Sequence, residues 1–315
     1  MKVLVTGADG FVGGWLIRGL LAAGHLVDAG IRPGAPRPAH LTEDEQRAVR
    51  WVTLELEDSQ SVRAFLAPAD AVIHLAAVAS GLEAREDPGQ AWSINAGGTA
   101  RLLDLLARRR QESGGDPLVL AVSTGEVYGG GSGRPLRETD PLLPGSPYAA
   151  SKVGAEVAGL ETFRRTGLRV VIARPFPHTG PGQSDRYVVP GFLARLRAAK
   201  RAGAQAVKTG NLEPVRDFLD VRDVVAAYLA LLERGEPGEV YNIASGQGTT
   251  LRDLFHRAAA TVGVKVIPES DAALIRTADI QYLVGDASKL RTATGWAPRL
   301  SLDQTLRDIA NAQAD

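Results

Sequence analysis

The sequence of 315 residues predicts an α/β protein in which a doubly wound parallel sheet is followed by a smaller C-terminal α/β lobe that binds substrate. One supporting observation is that short apolar runs alternate with helical patterns up to residue 174. Another is a glycine-rich turn at residues 7–13, directly after the first apolar run. A third is a loop of Pro and Gly at residues 175–182, where the alternation stops. Alternating strands and helices are typical of a parallel sheet with helices on both faces.

The first element is the apolar run Lys2–Thr6, which is followed by a G-x-x-G-x-x-G turn and then by apolar residues at helical spacing. This order indicates strand, tight turn and helix. Glycines at such a turn let the backbone approach a pyrophosphate, whose charge is stabilised by the free N–H groups at the start of the helix. We therefore predict a Rossmann-type dinucleotide site. The residues predicted to bind the cofactor in this turn are Gly7, Gly10, Phe11, Val12 and Gly13.

The later elements follow in the same alternation. Strands are predicted at 26–31, 51–56, 71–75, 118–122 and 169–173, and helices at 61–66, 90–110 and 148–165. Beyond the Pro and Gly loop, helices are predicted at 189–201, 221–234, 251–262 and 302–311, with a strand at 239–243. We predict a dinucleotide-binding domain over 1–174 with parts of 217–244, and a substrate lobe over 175–216 and 245–315. The ligand should lie between the two, at the carboxyl ends of the strands.

Composition limits the class of partner. Lys+Arg and Asp+Glu both number 36, so the net charge gives no indication of a nucleic acid or an acidic membrane surface. The chain has no Cys, and its five His lack metal-ligand spacing, so we predict no metal site. No apolar run approaches the roughly 18 residues of a membrane span. We expect a cytoplasmic protein without a membrane segment whose partner is a small molecule.

Tyr148 and Lys152 lie four residues apart in the predicted helix 148–165, so their side chains share one face. A free phenol keeps its proton up to about pH 10, and a neighbouring cation lowers that pKa. We therefore predict that Tyr148 acts as an acid/base. Thr124 follows the predicted strand 118–122, and a hydroxyl at the carboxyl end of a strand faces the ligand crevice.

With the glycine turn, Thr124 and Tyr148-x-x-x-Lys152 in this order, the sequence resembles the extended short-chain dehydrogenase/reductase family over essentially its whole length. The resemblance implies that Tyr148 exchanges a proton with a sugar C4 oxygen, that Thr124 hydrogen-bonds to this oxygen, and that the cofactor carries the hydride. It also implies that Lys152 holds the nicotinamide ribose and lowers the pKa of Tyr148. Dehydratases of the family use a carboxylate at Glu126 as a base, and many have an adjacent Asp where this chain has Gly125. Related reductases also have Glu here, so Glu126 is a candidate base or a solvated residue.

The choice of cofactor depends on the end of the second strand, where an acidic residue binds the ribose 2′-OH of NAD and an Arg suits the 2′-phosphate of NADP. Arg32 occupies that point, and Asp28 lies too early in the strand. We therefore predict NADP(H), with NAD(H) as the alternative. The resemblance adds further cofactor contacts, and for Asn95 it leaves a structural role equally open. These residues are Glu55, Leu56, Leu75, Ala76, Ala77, Asn95, Tyr148, Lys152 and Pro175.

Two stretches, 174–183 and 210–218, are similar to the nucleotide-sugar half of the family, and most of all to its GDP-sugar reductases and GDP-mannose dehydratases. The residues that this similarity assigns to substrate binding are His178, Gln183, Asn211, Arg216, Arg276 and Asp279. One position departs from the family, because Pro177 replaces an Asn that binds a substrate phosphate. His178 or a water is the candidate substitute, and a different substrate is the alternative.

The resemblance leaves several functions open. A 4-keto reductase, a 4,6-dehydratase and a 4-epimerase share the cofactor and the triad, and of these we favour the reductase acting on a GDP-sugar. A dinucleotide-sensing scaffold protein is the non-enzyme alternative, and the complete triad argues against it. Family members commonly form dimers through two long helices, so we expect a homodimer through residues 90–110 and 148–165.

Overall fold

The structure is a computed structural model, and it describes residues 1–131, 133–274 and 280–312. The strands in chain order are β1 (Lys2–Thr6), β2 (Leu26–Ile31), β3 (Val49–Thr53), β4 (Ala71–His74), β5 (Leu118–Val122), β6 (Val170–Pro175), β7 (His178–Thr179), β8 (Ala206–Thr209), β9 (Val215–Asp217), β10 (Leu219–Asp220), β11 (Val240–Ile243), β12 (Gly248–Thr250), β13 (Ile267–Ser270) and β14 (Tyr282–Leu283).

The α-helices in chain order are α1 (Phe11–Ala22), α2 (Glu43–Arg47), α3 (Ser59–Phe65), α4 (Gly81–Glu86), α5 (Pro88–Trp92), α6 (Thr99–Ser113), α7 (Pro147–Thr166), α8 (Val188–Ala202), α9 (Val221–Arg234), α10 (Leu251–Val262), α11 (Ser288–Thr294) and α12 (Leu302–Ala312). A π-helical turn, Ser93–Gly98, joins α5 to α6, and a 3₁₀ turn, Gly125–Tyr128, follows β5. The described residues contain no helix with the length and apolar character needed to cross a membrane.

The larger lobe is built on a seven-stranded parallel sheet in the order β11-β6-β5-β4-β1-β2-β3. The chain leaves β1 toward β2 and β3, and then returns to place β4, β5 and β6 on the other side of β1. This reversal opens a crevice at the carboxyl ends of β1 and β4, which is where such sheets bind their ligands. The predicted doubly wound parallel sheet is confirmed.

Two predicted elements differ from the structure in detail. The strand predicted at 51–56 is β3, which ends at Thr53, because Leu54 and Leu56 pack into the core from the segment that follows the strand. The helix predicted at 90–110 is interrupted by the π-helical turn. In this turn the Thr99 hydroxyl donates to the Asn95 carbonyl at 2.5 Å.

The smaller lobe packs α8, α10 and α12 around its own apolar core, beside the paired strands β8 and β13. The predicted assignment of all of 245–315 to this lobe needs a correction. Helix α11 packs on β11 and α9, and Leu290 and Trp296 belong to the core of the larger lobe. Helix α11 belongs to the larger lobe because β11 is the edge strand of the large sheet and α11 packs on it.

A chain of hydrogen bonds positions the segment that follows β4. The Ala76 N–H donates to Thr6 Oγ1 at 3.1 Å, and Thr6 Oγ1 lies 2.7 Å from His74 Nδ1. On the other side of the ring, His74 Nε2 lies 3.0 Å from Thr99 Oγ1, whose hydroxyl donates to the Asn95 carbonyl. Each donor in this series of hydrogen bonds meets an acceptor when the His74 imidazole is neutral and carries its proton on Nε2.

The site of His74 disfavours a charged ring. His74 is 2% exposed. Burial, together with the positive charge of Lys152, lowers the pKa of His74 to about 3. The unfolded chain therefore binds a proton here between about pH 3 and 6.5, whereas the folded chain does not, so stability falls as pH falls through this range.

We predict that His74→Gln makes the protein less sensitive to acid. The free energy of unfolding changes with pH, and below about pH 6 His74 alone contributes about 1.4 kcal/mol per pH unit to that slope. The variant should be less stable near pH 7 but show a slope that is shallower by about this amount. Urea denaturation at several pH values between about 4 and 7 measures it. Parallel slopes for the two proteins would show that His74 is not held neutral.

Candidate active site

A cavity of about 2100 Å³ lies at the carboxyl edge of the large sheet and is lined by residues of both lobes. Most of the residues that the sequence singled out meet here. The predicted residues that line the cavity are Gly7, Gly10, Phe11, Val12, Gly13, Arg32, Glu55, Leu56, Leu75, Ala76, Ala77, Thr124, Glu126, Tyr148, Lys152, Pro175, His178, Gln183, Asn211 and Arg216. Arg276 and Asp279 lie outside the described residues.

The glycine turn fits a dinucleotide pyrophosphate. Gly7 has a φ of +68°, and a Cβ on it would lie 2.6 Å from the Ala76 nitrogen. A Cβ on Gly13 would lie 2.5 Å from the Gly7 oxygen. The N-cap residue of α1, Gly10, offers no side-chain cap, and the first turn contains no acidic residue. The first N–H groups of α1 therefore remain for an anionic ligand.

The end of β2 brings two opposite charges together. Arg32 Nε lies 2.8 Å from Asp9 Oδ2, and both residues line the cavity. The Asp9 side chain is 4% exposed and that of Arg32 is 80% exposed. Arg32 thus lies where the sequence placed it. Asp9 was not singled out, although its place inside the glycine motif was a signal.

The predicted catalytic side chains converge from two elements. Thr124 caps the 3₁₀ turn after β5, where its Oγ1 accepts from the Glu126 N–H at 3.2 Å. Tyr148 lies in the first turn of α7, a helix capped by Ser146. The Tyr148 hydroxyl lies within hydrogen-bonding reach of Thr124. Lys152, one turn further along α7, is buried.

The pKa of Tyr148 does not move in the direction expected from Lys152. Burial raises it above its ordinary value, and the nearby Glu126 carboxylate raises it further. Burial also lowers the pKa of Lys152 to about 8, against the opposing effect of the Glu156 carboxylate. The expectation from helical spacing was wrong in direction, because it counted the cation and left out the loss of solvent. A phenol that keeps its proton is suited to donate it.

A buried polar network lies behind these side chains. Glu156 accepts from Arg174 through both oxygens, at 2.9 Å for Nε and 2.6 Å for Nη2, and it also accepts from the Ser123 hydroxyl. Arg174 Nη1 donates to the Tyr128 hydroxyl at 2.8 Å. This hydroxyl in turn donates to Asn242 Oδ1 at 2.8 Å. No sequence motif marks this network, because its members lie far apart along the chain.

Asn95 is not among the residues that line the cavity, although a cofactor contact was one of its two predicted roles. Its Oδ1 accepts from the Val78 N–H at 2.7 Å, and its Nδ2 donates to the Val78 carbonyl at 3.2 Å and to Ser151 Oγ at 2.9 Å. The oxygen and the nitrogen of the Asn95 side-chain amide are therefore both hydrogen-bonded within the protein. Asn95 thus ties the segment after β4 to α7, next to Lys152.

On the substrate side, several predicted side chains are engaged with the backbone or with each other. His178 Nδ1 lies 2.9 Å from the Phe176 carbonyl, which can only accept, so Nδ1 carries the proton. Gln183 bonds to Thr179 Oγ1 at 2.6 Å and to the His178 carbonyl at 3.2 Å. Asn211 Oδ1 accepts from the Glu213 N–H at 3.0 Å.

Several further residues of the cavity were not predicted. They are aromatic or charged and come from segments without a motif. Examples are Trp15, Arg18, His40, Glu83, Arg186, Tyr187 and Arg195. Among the residues that the structure describes, no group of three or more acidic or His side chains could hold a metal ion.

A family model described as GDP-mannose 4,6 dehydratase matches residues 4–309. The chain belongs to this family. This match confirms the resemblance that was drawn from the motifs. The protein is an enzyme of the extended short-chain dehydrogenase/reductase type, built on a Rossmann-type sheet.

Three relatives place the chain within the family. It is 38% identical to the GDP-6-deoxy-D-mannose reductase of Pseudomonas aeruginosa, over 98% of this chain and 95% of the relative. RMD from Pseudomonas aeruginosa, solved in complex with NADPH, is similar with a TM-score of 0.83 and 34% identity, over 99% of this chain and 98% of that one. The UDP-glucose 4-epimerase of Thermus thermophilus, solved with NAD, is similar with a TM-score of 0.85 and 29% identity, over 99% of this chain and 98% of that one.

We predict that Tyr148→Phe lowers kcat by a factor of about 10² to 10⁴ and leaves the dissociation constant of the cofactor nearly unchanged, because it removes a proton donor and little else. Tyr241→Phe is the matched control, since Tyr241 is a buried phenol on β11 that is not among the cavity residues. Steady-state rates and fluorescence titration measure the two effects. A Tyr148→Phe variant with more than about a tenth of the original rate would contradict the role of Tyr148.

Proposed function

We propose that the protein is a nucleotide-sugar reductase that reduces the C4 ketone of GDP-4-keto-6-deoxy-D-mannose, with hydride from a nicotinamide cofactor and a proton from Tyr148. The observation that carries the proposal is the meeting of Thr124, Tyr148 and Lys152 in one cavity between the two lobes. The similarity to a GDP-6-deoxy-D-mannose reductase over nearly the whole chain supports it.

The proposed reaction adds a hydride and a proton across the C4 carbonyl. A bound reduced nicotinamide would supply the hydride to the carbon. Tyr148 gives its hydroxyl proton to the oxygen, and Thr124 donates a hydrogen bond to that oxygen, which stabilises the charge that develops there. The raised pKa of Tyr148 keeps the donor protonated. Lys152, which lines the cavity, holds the ribose and places its positive charge near the phenolate that results.

Packing around Gly125 favours reduction over dehydration. A Cβ at this position would lie 3.1 Å from the ring of Phe176. The Asp that many dehydratases have here would therefore need Phe176 to shift. Glu126 is the observation that favours the dehydratase alternative, because its carboxylate lies on the cavity near Tyr148. A 4-epimerase shares the same triad and is the third candidate.

The comparisons support a nicotinamide dinucleotide, and one solved relative holds NADPH while another holds NAD. We propose NADP(H) as the favoured cofactor, because Arg32 offers a guanidinium at the end of β2 for the 2′-phosphate. NAD(H) is the alternative.

We propose a GDP-sugar as the substrate class. Arg216 lines the cavity and is a cation suited to a diphosphate. Pro177 lines the same wall without a donor, and His178 or a water is our candidate to replace the family's Asn. His178 can donate to a phosphate only as an imidazolium, because Nδ1–H already donates to the Phe176 carbonyl and Nε2 of the neutral ring accepts. Residues Gln183, Asn211, Arg276 and Asp279 remain proposed substrate contacts.

The assembly and the location of the protein stay predictions. We propose a homodimer through the helices that span 88–113 and 147–166, where Trp92 and Val157 expose apolar side chains. A cytoplasmic location is proposed from composition alone.

We predict that the purified enzyme consumes one reduced cofactor for each molecule of GDP-4-keto-6-deoxy-D-mannose, and that GDP-mannose alone causes no net change in cofactor absorbance. A reductase uses up its cofactor, whereas a dehydratase or epimerase returns the hydride to the sugar. Absorbance of the reduced nicotinamide, with chromatography of the sugar nucleotides, measures both. Formation of a 4-keto sugar from GDP-mannose without net oxidation would refute the reductase and make Glu126 the base.

A further inference from the structure

Asp9 is a mostly buried carboxylate on the cofactor side of the cavity. It lies between Gly7 and Gly10 in the glycine turn, and its side chain is 4% exposed. Among the described residues, Arg32 is its one hydrogen-bonding partner, with Nε at 2.8 Å from Oδ2. Asp9 also lines the cavity, so a ligand bound there can reach its carboxylate.

The pair lies at the end of β2, which in sheets of this kind faces the adenosine ribose of a bound dinucleotide. The glycine turn is joined to the end of β2 by a bond from the Ala8 N–H to the Gly30 carbonyl at 3.1 Å. In sheets of this kind the end of β2 discriminates between the cofactors, with an acidic residue for the ribose 2′-OH and an Arg for the 2′-phosphate. This chain has both charges at the same point, since Asp9 supplies the acid from the turn instead of from the strand.

The two side chains differ in their freedom to move. Asp9 is buried, whereas Arg32 is 80% exposed and can leave the pair by rotation of its side chain. A 2′-phosphate would bring a second anion beside the buried carboxylate and compete with it for the guanidinium. A 2′-hydroxyl would donate to the carboxylate and leave the ion pair intact.

Other charges on this side of the cavity do not replace the pair. Arg37 lies over the ring of Trp51, 5.2 Å from its centroid. Arg18 is bound to Glu45 at 2.7 Å. Asp9 and Arg32 are thus the two opposite charges that meet where the glycine turn joins the end of β2, and the carboxylates of Glu55 and Glu57 line the same cavity.

We propose that Asp9 is a specificity-determining residue of the cofactor site. It accepts a hydrogen bond from the ribose of NAD(H) and restrains Arg32, so it lowers the preference for NADP(H) that Arg32 alone would give. The inference rests on the proposed binding of a nicotinamide dinucleotide and is independent of the sugar that is reduced.

The test is fluorescence titration of NADH and NADPH into the full-length protein and its variants, which needs no turnover. For Asp9→Asn, which keeps the size of the side chain, we expect the affinity for NADPH to rise about tenfold and that for NADH to fall a few-fold. Arg32→Ala should weaken NADPH by about tenfold or more and NADH much less. Asp44→Asn is the matched control, because Asp44 forms an exposed pair with Arg47 on α2, and it should change neither affinity.

Each remaining outcome has a defined meaning. If Asp9→Asn leaves the ratio of the two affinities unchanged, or weakens both cofactors equally, Asp9 does not discriminate between them and the inference is overturned. If the unaltered protein binds neither NADH nor NADPH, the proposed dinucleotide site itself fails, and with it the reductase function.

Discussion

The buried ion pair between Glu156 and Arg174 is the interaction on which the active site depends. The two side chains are 3% and 5% exposed, and their contact is bidentate. It joins α7, which carries the proposed proton donor, to β6, and through Ser123 to the end of β5. Because neither charge has access to water, the loss of one partner leaves the other unpaired in the interior, which typically costs about 3–5 kcal/mol.

The same carboxylate acts on Lys152, one helical turn before it. Burial alone would favour a neutral amine, and the negative charge of Glu156 opposes that effect. A second tie holds α7 from the other side, since Asn95 bonds to Ser151 and also to the segment after β4. The hydrogen bonds through His74 extend this tie to β1. Lys152 therefore lies on a helix held by two polar networks, one through Glu156 and one through Ser151, and this arrangement preorganises the site before any ligand binds.

Much of the fold could be predicted from the sequence, because its signals are local. Apolar runs between helical patterns gave the parallel sheet, and the glycine spacing gave the turn that packs against Ala76. Side-chain spacing along one helix also placed Tyr148 and Lys152 on the cavity. The remaining features depend on distant contacts or on burial. The network of Glu156 and Arg174 and the packing of α11 on β11 bring together residues far apart in the chain. The direction of the pKa shift of Tyr148 was not readable from helical spacing, because it is set by loss of solvent and by the Glu126 carboxylate.

In the proposed reaction, hydride passes from the cofactor to C4 of the sugar and stays there. The most direct measurement uses reduced cofactor labelled with deuterium at C4 of the nicotinamide, on the face that is transferred, and GDP-4-keto-6-deoxy-D-mannose as the acceptor. We expect one deuterium at C4 of the deoxy sugar, seen as a mass increase of one unit and as loss of the C4 proton signal in NMR. An unlabelled sugar product, with the deuterium still on the cofactor, would contradict it.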